Sequence, residues 1–370
     1  MRRLSATWWL LVAVTFATER KIELRRTPDG LTVNLTIGAR EQVRFLLDIG
    51  SASHSWVLAD EATVLARDEA TGLPIASFRT RHARVPATSE VHVTDEPFRV
   101  RYADGLVVRG RVGSARVRYA QDDPRVLPNL GFAETLSEPT TRGGDALTLR
   151  SRSVFESSEY DALLAVGPSS IAQAVEMLSA RPLPDGRNPA VGLVIGFGHQ
   201  TCGGSPALLT AVHGEMRAVE DSAANIVGPR GAMIGIEPTA APSMKQRWRL
   251  RAHERSRDAP GGEIQTSLLF DTAATHIFFP ASRSSQAAAA ARFVLPDVLS
   301  SSSWGESPTA NCSLVLQLPV NASLREGAGQ IWVLGVPFLE ECGGIALLGR
   351  NAGSAVLLPS ACISRECGGG

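Results

Sequence analysis

Val43-Arg44-Phe45-Leu46-Leu47-Asp48-Ile49-Gly50-Ser51 returns in altered form as Ser267-Leu268-Leu269-Phe270-Asp271-Thr272-Ala273-Ala274-Thr275. Each copy is an apolar run that delivers one aspartate into a turn of small residues, and the copies lie in opposite halves of the chain. A strand that ends this way leaves its carboxylate at the rim of a sheet, where tight backbone packing lets N–H groups reach it. Two carboxylates held close together cannot both ionise easily, so they share one proton across the pair. The repeat therefore predicts two similar lobes, each supplying half of an acid/base dyad, Asp48 and Asp271.

The bulk numbers fit that plan. At 370 residues the chain is long enough for two domains of its own. The 37 basic and 37 acidic residues cancel, and no basic stripe argues for nucleic acid. A hydrophobic fraction of 44% with 34 Gly and 22 Pro fits a turn-rich globular fold. The N-terminus reads as a signal peptide over 1–18: Arg2-Arg3, an apolar stretch from Trp8 to Ala17, then Glu19-Arg20-Lys21. That stretch is too short to span a bilayer comfortably, and no later segment is long and apolar enough. The expected address is the secretory pathway, extracellular or in an acidic vesicle. The sequons at Asn34, Asn311 and Asn321 agree with it. The five cysteines, Cys202, Cys312, Cys342, Cys362 and Cys367, leave at least one without an intrachain partner. Cys362 with Cys367, and Cys312 with Cys342, are candidate pairs; spacing alone leaves the pattern open. No Cys-x-x-Cys or His-Glu-x-x-His occurs, and no metal or cofactor is expected.

Most of the body reads as strand. Leu31–Ile37, Val43–Leu47 and Phe98–Tyr102 alternate apolar and polar residues, and alternation resumes from Val107 to Tyr119 after the turn Ala103-Asp104-Gly105. Helices are predicted at Ser170–Leu178, behind a serine cap, and at Ser285–Phe293, which holds five consecutive alanines. The proline-rich stretch from Pro182 to Pro189 is the expected boundary, dividing an N-terminal lobe (19–186) from a C-terminal lobe (187–370).

Six segments, in order, resemble the pepsin-like aspartic proteases. Asp48-Ile49-Gly50-Ser51 and Asp271-Thr272-Ala273 are similar to the family's two Asp-Thr/Ser-Gly loops. Tyr102-Ala103-Asp104-Gly105 is similar to its flap hairpin, and Trp56-Val57 to the Trp-Val whose indole supports the flap tyrosine. Tyr160-Asp161-Ala162-Leu163-Leu164-Ala165-Val166-Gly167 and Ile331-Trp332-Val333-Leu334-Gly335-Val336 are similar to the strands that pass behind each loop. The resemblance implies a mainly β, bilobal double-barrel fold and a monomer that takes a polypeptide substrate in the cleft between lobes. It implies Asp48 and Asp271 as catalytic residues, with Tyr102, Asp104, Gly105 and Trp56 as flap and substrate-binding residues. Gly50, Ser51, Thr272 and Gly335 would support the dyad.

The departures fall at sensitive places. Ile49 stands where the family has a threonine that braces the opposite loop, so half of a reciprocal pair is expected to be missing. Ala103, Ala162, Ala165 and Ala273 replace glycines, and Val336 an aspartate. A methyl group forced into a packed loop costs about 1–3 kcal/mol. The family's basic prosegment would have only Lys21–Gly30 to occupy. Two readings stay open: a divergent endopeptidase, or a weak or inactive relative that binds peptides or proteins in its cleft. Other chemistries fit less well. A Gly-x-Ser-x-Gly elbow is absent, Gly196-Phe197-Gly198 lacks the third glycine of a dinucleotide loop, and a glycosidase carboxylate pair would not explain the flap or the repeat.

Overall fold

The structure, a computed structural model, describes residues 21–51, 54–102, 104–119, 124–140, 146–179, 190–197, 207–214, 232–236, 247–255, 263–295, 312–319, 323–327, 331–350, 353–358 and 360–367. The signal segment, the boundary at 182–189, Ala103, Cys202, Asn311 and Asn321 lie outside them. The protein is mainly β, and its strands form two sheets.

The chain opens with an antiparallel meander, β1 (Lys21–Thr27), β2 (Gly30–Ile37) and β3 (Arg40–Asp48). The turn between β2 and β3 uses Gly38 at φ 53°, a backbone that glycine adopts without strain. There follow β4 (Trp56–Asp68), β5 (Pro74–Arg79), β6 (Arg84–Val85), β7 (Val91–Arg101), β8 (Val107–Arg118) and β9 (Arg125–Thr140). Strands β7 and β8 form the long hairpin expected around Asp104-Gly105. Two short helices, α1 (Ala146–Arg152) and α2 (Val154–Ser157), lead into β10 (Ala162–Ala165) and α3 (Ile171–Leu178). Helix α3 lies where its serine cap and apolar spacing predict it, with Ile171, Val175 and Leu178 buried.

The strands beyond residue 187 divide between the sheets. Strands β11 (Ala190–Phe197), β12 (Ala207–Gly214) and β13 (Ala232–Ile236) belong to the first sheet, because β1 pairs with β12, Lys21 opposite Thr210. The second, eight-stranded sheet is built from β14 (Arg249–Arg255), β15 (Glu263–Phe270), β16 (Ile277–Pro280), β17 (Arg292–Val294), β18 (Cys312–Gln317), β19 (Leu324–Gly327) and β20 (Trp332–Leu334). Strands β21 (Gly344–Arg350) and β22 (Gly353–Leu358) return to the first sheet, and β23 (Ile363–Cys367) closes the second. Lys21–Thr27 is thus built into the first sheet as β1.

One arrangement occurs once in each sheet and sets up the site. In the first, β10 runs parallel to β3, with Ala165 opposite Asp48, and antiparallel to β4, with Leu163 opposite Trp56. In the second, β20 runs parallel to β15, with Leu334 opposite Phe270, and antiparallel to β16, with Val333 opposite Phe278. Each time, a short, buried strand is threaded between the two strands that flank an aspartate loop. The threaded strands are nearly all apolar because neighbours cover them on both faces: Ala162–Ala165 is buried throughout.

Two clusters of buried side chains fill the interior. The larger runs through both sheets and includes Phe45, Leu47, Ile49, Trp248, Phe270, Trp332 and Phe338. The smaller lies under the β7–β8 hairpin and holds Trp56, Phe98, Val108, Leu136, Phe155, Leu163 and Ala165. A fully buried side chain of this kind contributes about 1.5–3 kcal/mol, so each aspartate loop stands on a rigid base.

Two sequence expectations are corrected. The helix predicted over Ser285–Phe293 stops early: α4 (Ser285–Ala289) begins behind the Ser284 cap, and Arg292–Val294 is strand β17. Alanine propensity gives way there to burial of Phe293 against Trp332, ring centroids 5.1 Å apart. The disulfide joins Cys342 to Cys362, which rules out both pairs proposed from spacing. Cys342 ends helix α5 (Val336–Cys342), and the short helical turn Ser360–Cys362 packs beside it. That contact in space is not visible in cysteine spacing.

Candidate active site

Asp48 is the last residue of β3, and Asp271 follows β15 directly. The structure brings the two together, close enough for each carboxyl to act on the other's protonation. Asp48 is buried, Asp271 half-buried. Backbone N–H groups hold both. The backbone N–H groups of Ser51 and Gly50 favour the ionised form of Asp48, while Ala273 donates to Asp271 Oδ1 at 2.8 Å and Ala274 N–H to the Asp271 carbonyl at 3.4 Å. A Cβ at Gly50 would lie 2.6 Å from the Asp271 carboxyl carbon, so only glycine allows the loops to meet this closely.

Thr272 locks the loops together. Its hydroxyl accepts from Ile49 N–H at 3.2 Å and donates to the Leu47 carbonyl. Thr272 is fully buried, and so is Ile49. The threonine half of the expected brace is thus made. Ile49 has no hydroxyl for the other half, and its side chain fills the main core instead. The threaded strands complete the frame: Val166 N–H donates to the Asp48 carbonyl at 2.9 Å, and Asp271 N–H to the Leu334 carbonyl at 3.2 Å.

This setting controls protonation. Burial pushes the Asp48 carboxyl well above the usual carboxylate range, and the neighbouring Asp271 charge adds to it. Backbone N–H groups and the Arg247 guanidinium only partly offset the rise. Asp271 is raised as well, chiefly by burial, against the N–H bonds of Ala273 and Ala274 and the field of Arg247. Asp48 Oδ1 is buried and meets no hydrogen-bond partner among the described residues. An ionised oxygen there would be costly, which again favours a proton on the pair.

The tip of the β7–β8 hairpin lines a cavity together with Asp48. Tyr102 N–H donates to the Leu106 carbonyl at 2.8 Å, Asp104 Oδ1 accepts from Leu106 N–H at 2.9 Å, and Gly105 takes φ 91°. Trp56 Nε1–H donates to the Tyr102 hydroxyl at 2.7 Å. The buried indole therefore fixes the hairpin tip over the cavity. That cavity, about 240 Å³, is lined by Asp48, Trp56, Tyr102 and Asp104, and on the far side by Ala273 and Thr275. Gly335 stands behind the second loop, where a Cβ would lie 2.3 Å from the carbonyl oxygens of Ala274 and His276.

Sequence reasoning missed three positions. Asp29, in the β1–β2 turn, and Tyr160 line the same cavity, and only folding brings the β1–β2 turn to it. Asp161 fastens the entrance to β10: it accepts from Arg44 N–H and Ala83 N–H and meets His82 Nδ1 at 3.1 Å. Burial raises its carboxyl, but these bonds prevail and hold it below the usual range. Among the described residues no group of three His, Cys, Asp or Glu is placed to hold a metal ion. No protein-family model matches this chain, and no curated protein is similar to it in sequence.

Proposed function

We propose that this protein is an aspartic endopeptidase of pepsin-like, bilobal build, working on polypeptides in the cleft between its lobes after entry into the secretory pathway. The observation that carries this reading is the interacting carboxyl pair, buried Asp48 and half-buried Asp271, each presented by the same threaded-strand arrangement, with Tyr102 of the hairpin lining the cavity at Asp48. A carboxyl pair of this kind holds one proton and titrates as a unit. Its ionised member takes a proton from a water molecule whose oxygen adds to the peptide carbonyl carbon. The protonated member donates to the oxygen that gains charge. When the C–N bond breaks, the amine leaves with a proton, the carbonyl carbon is left as a carboxyl group, and the pair again holds one proton.

The test is cleavage of an unstructured protein by the purified chain from about pH 3 to about pH 7. Activity is expected to peak in acid and to fall as pH rises through the upper titration of the pair. Because burial raises both carboxyls, that limb should lie above the ordinary carboxylate range. A folded chain with no acid-dependent cleavage would overturn the proposal and favour a peptide-binding cleft without turnover.

Trp56→Phe keeps the ring but removes the donor to Tyr102. It is expected to lower kcat/KM by about tenfold, the weight of one buried hydrogen bond, while melting changes little. An unchanged kcat/KM would mean that the indole does not position the hairpin during turnover.

A further inference from the structure

The cavity beside Asp48 is small, and the charged residues among its described lining are all acidic. Its volume of about 240 Å³ falls below the roughly 300–1,000 Å³ of small-molecule pockets, which suits one side chain rather than a whole ligand. Trp56, Leu163 and Val154 give it apolar walls, Asp29 and Asp104 supply carboxylates beside the shared-proton pair at Asp48, and none of the described lining residues is basic. Asp29 and Asp104 come from different turns, and each is fixed by one backbone bond. Asp29 Oδ2 accepts from Glu159 N–H at 2.6 Å and Asp104 Oδ1 from Leu106 N–H at 2.9 Å. Each is thus held in place, and no further hydrogen bond engages its second oxygen among the described residues. Tyr160, also in the wall, registers the field. Burial first, and then Asp104, Asp29, Asp48 and Glu138, push its phenol far above the usual value.

We infer that this pocket selects a basic residue, lysine or arginine, next to the scissile bond of the substrate. The methylene stem of such a side chain packs on Leu163 and Val154 while its charged head reaches Asp29 and Asp104, the division that amphipathic side chains favour. An acidic side chain would meet the Asp29 and Asp104 carboxylates and be rejected, which gives the pocket specificity by repulsion as well as attraction. This inference rests on the proposed endopeptidase activity and adds the substrate class to it.

The test uses the full chain and a set of peptides that differ only in one residue beside the cleavage site: lysine, arginine, norleucine or glutamate, placed on either side in turn. For one of the two placements, kcat/KM with lysine or arginine should exceed that with norleucine by about tenfold, and glutamate should be the poorest. The lysine-to-norleucine ratio should shrink as salt is raised, because exposed charges are screened. In Asp29→Asn and Asp104→Asn chains, whose amides still accept the backbone bond, that ratio should fall toward one. The ratio is taken within one enzyme, so a general loss of turnover does not disturb it. Cleavage of the norleucine peptide with no preference for the bases would leave the endopeptidase reading standing and overturn this inference, making Asp29 and Asp104 turn-fixing residues only. Cleavage of none of the peptides would overturn both.

Discussion

Asp48→Asn or Asp271→Asn is expected to cut kcat/KM by about 10³- to 10⁴-fold, the scale of a lost general acid/base. Each asparagine keeps the size of the side chain and an oxygen for the backbone N–H groups of its loop. What it removes is a titrating carboxyl. If the two carboxyls act as one unit, as proposed, the double variant should lose hardly more than either single one. A pair of independent losses that multiply would contradict a shared-proton mechanism. The same variants carry a signature that inactivation by misfolding would not give. Folding raises both carboxyl pKa values, so above the unfolded pKa the unfolded chain releases protons that the folded chain retains. Stability of the parent chain should therefore fall as pH rises from the ordinary carboxylate range through the raised values. Replacing one carboxyl removes part of that penalty. Each Asn variant is expected to melt higher than the parent at neutral pH, and the two curves should converge in strong acid. A variant that melted lower at neutral pH would show that the buried pair stabilises the ionised fold, contrary to this account.

Such a pairing was partly legible in the sequence. An apolar run ending in Asp and small residues has one good structural use, a strand delivering a carboxylate into a tight turn. Finding it twice pointed to a dyad. Strict alternation around Asp104-Gly105 gave the hairpin in the same way. Local pattern failed where tertiary contacts override it. Alanines 287–291 read as a helix through Phe293, yet the side chain of Phe293 does more against Trp332 than in another helical turn. Lys21–Thr27 showed no sign that it would pair with a strand near residue 210. Asp29 looked like an ordinary turn residue, because its place in the cavity depends on how the β1–β2 turn meets the Tyr160 segment. The cysteines failed for a similar reason: Cys342 and Cys362 meet through the packing of α5 on the following turn.

Ala165 and Gly335 separate a tolerated departure from an intolerable one. They occupy corresponding places, each following a leucine on a threaded strand behind an aspartate loop. In the first copy the alanine methyl is buried in the small cluster with Trp56 and Leu163, and Ala165 N–H still donates to Ser55 Oγ at 3.1 Å. The loss of glycine there is absorbed by packing, so Ala165→Gly should cost only about 0.5–1 kcal/mol through backbone entropy and a little lost contact. In the second copy no such space exists. A methyl at Gly335 would sit 2.3 Å from two carbonyl oxygens, those of Ala274 and His276, and both belong to backbone rather than to a side chain that can swing away. Val336 N–H is bonded to that same Ala274 carbonyl at 2.8 Å, so relief in one direction breaks a bond in another. Gly335→Ala is therefore expected to destabilise the fold by about 1–3 kcal/mol. If the chain relaxes by moving the 271–276 loop, Asp271 shifts relative to Asp48, and a displacement of about 1 Å is enough to cost about 10²-fold in kcat. Denaturant titration and turnover on the same preparations would read both effects. A Gly335→Ala chain with parental stability and turnover would mean that the loop behind Asp271 is far softer than its packing implies. The dyad geometry would then have to be held from the Thr272 side alone.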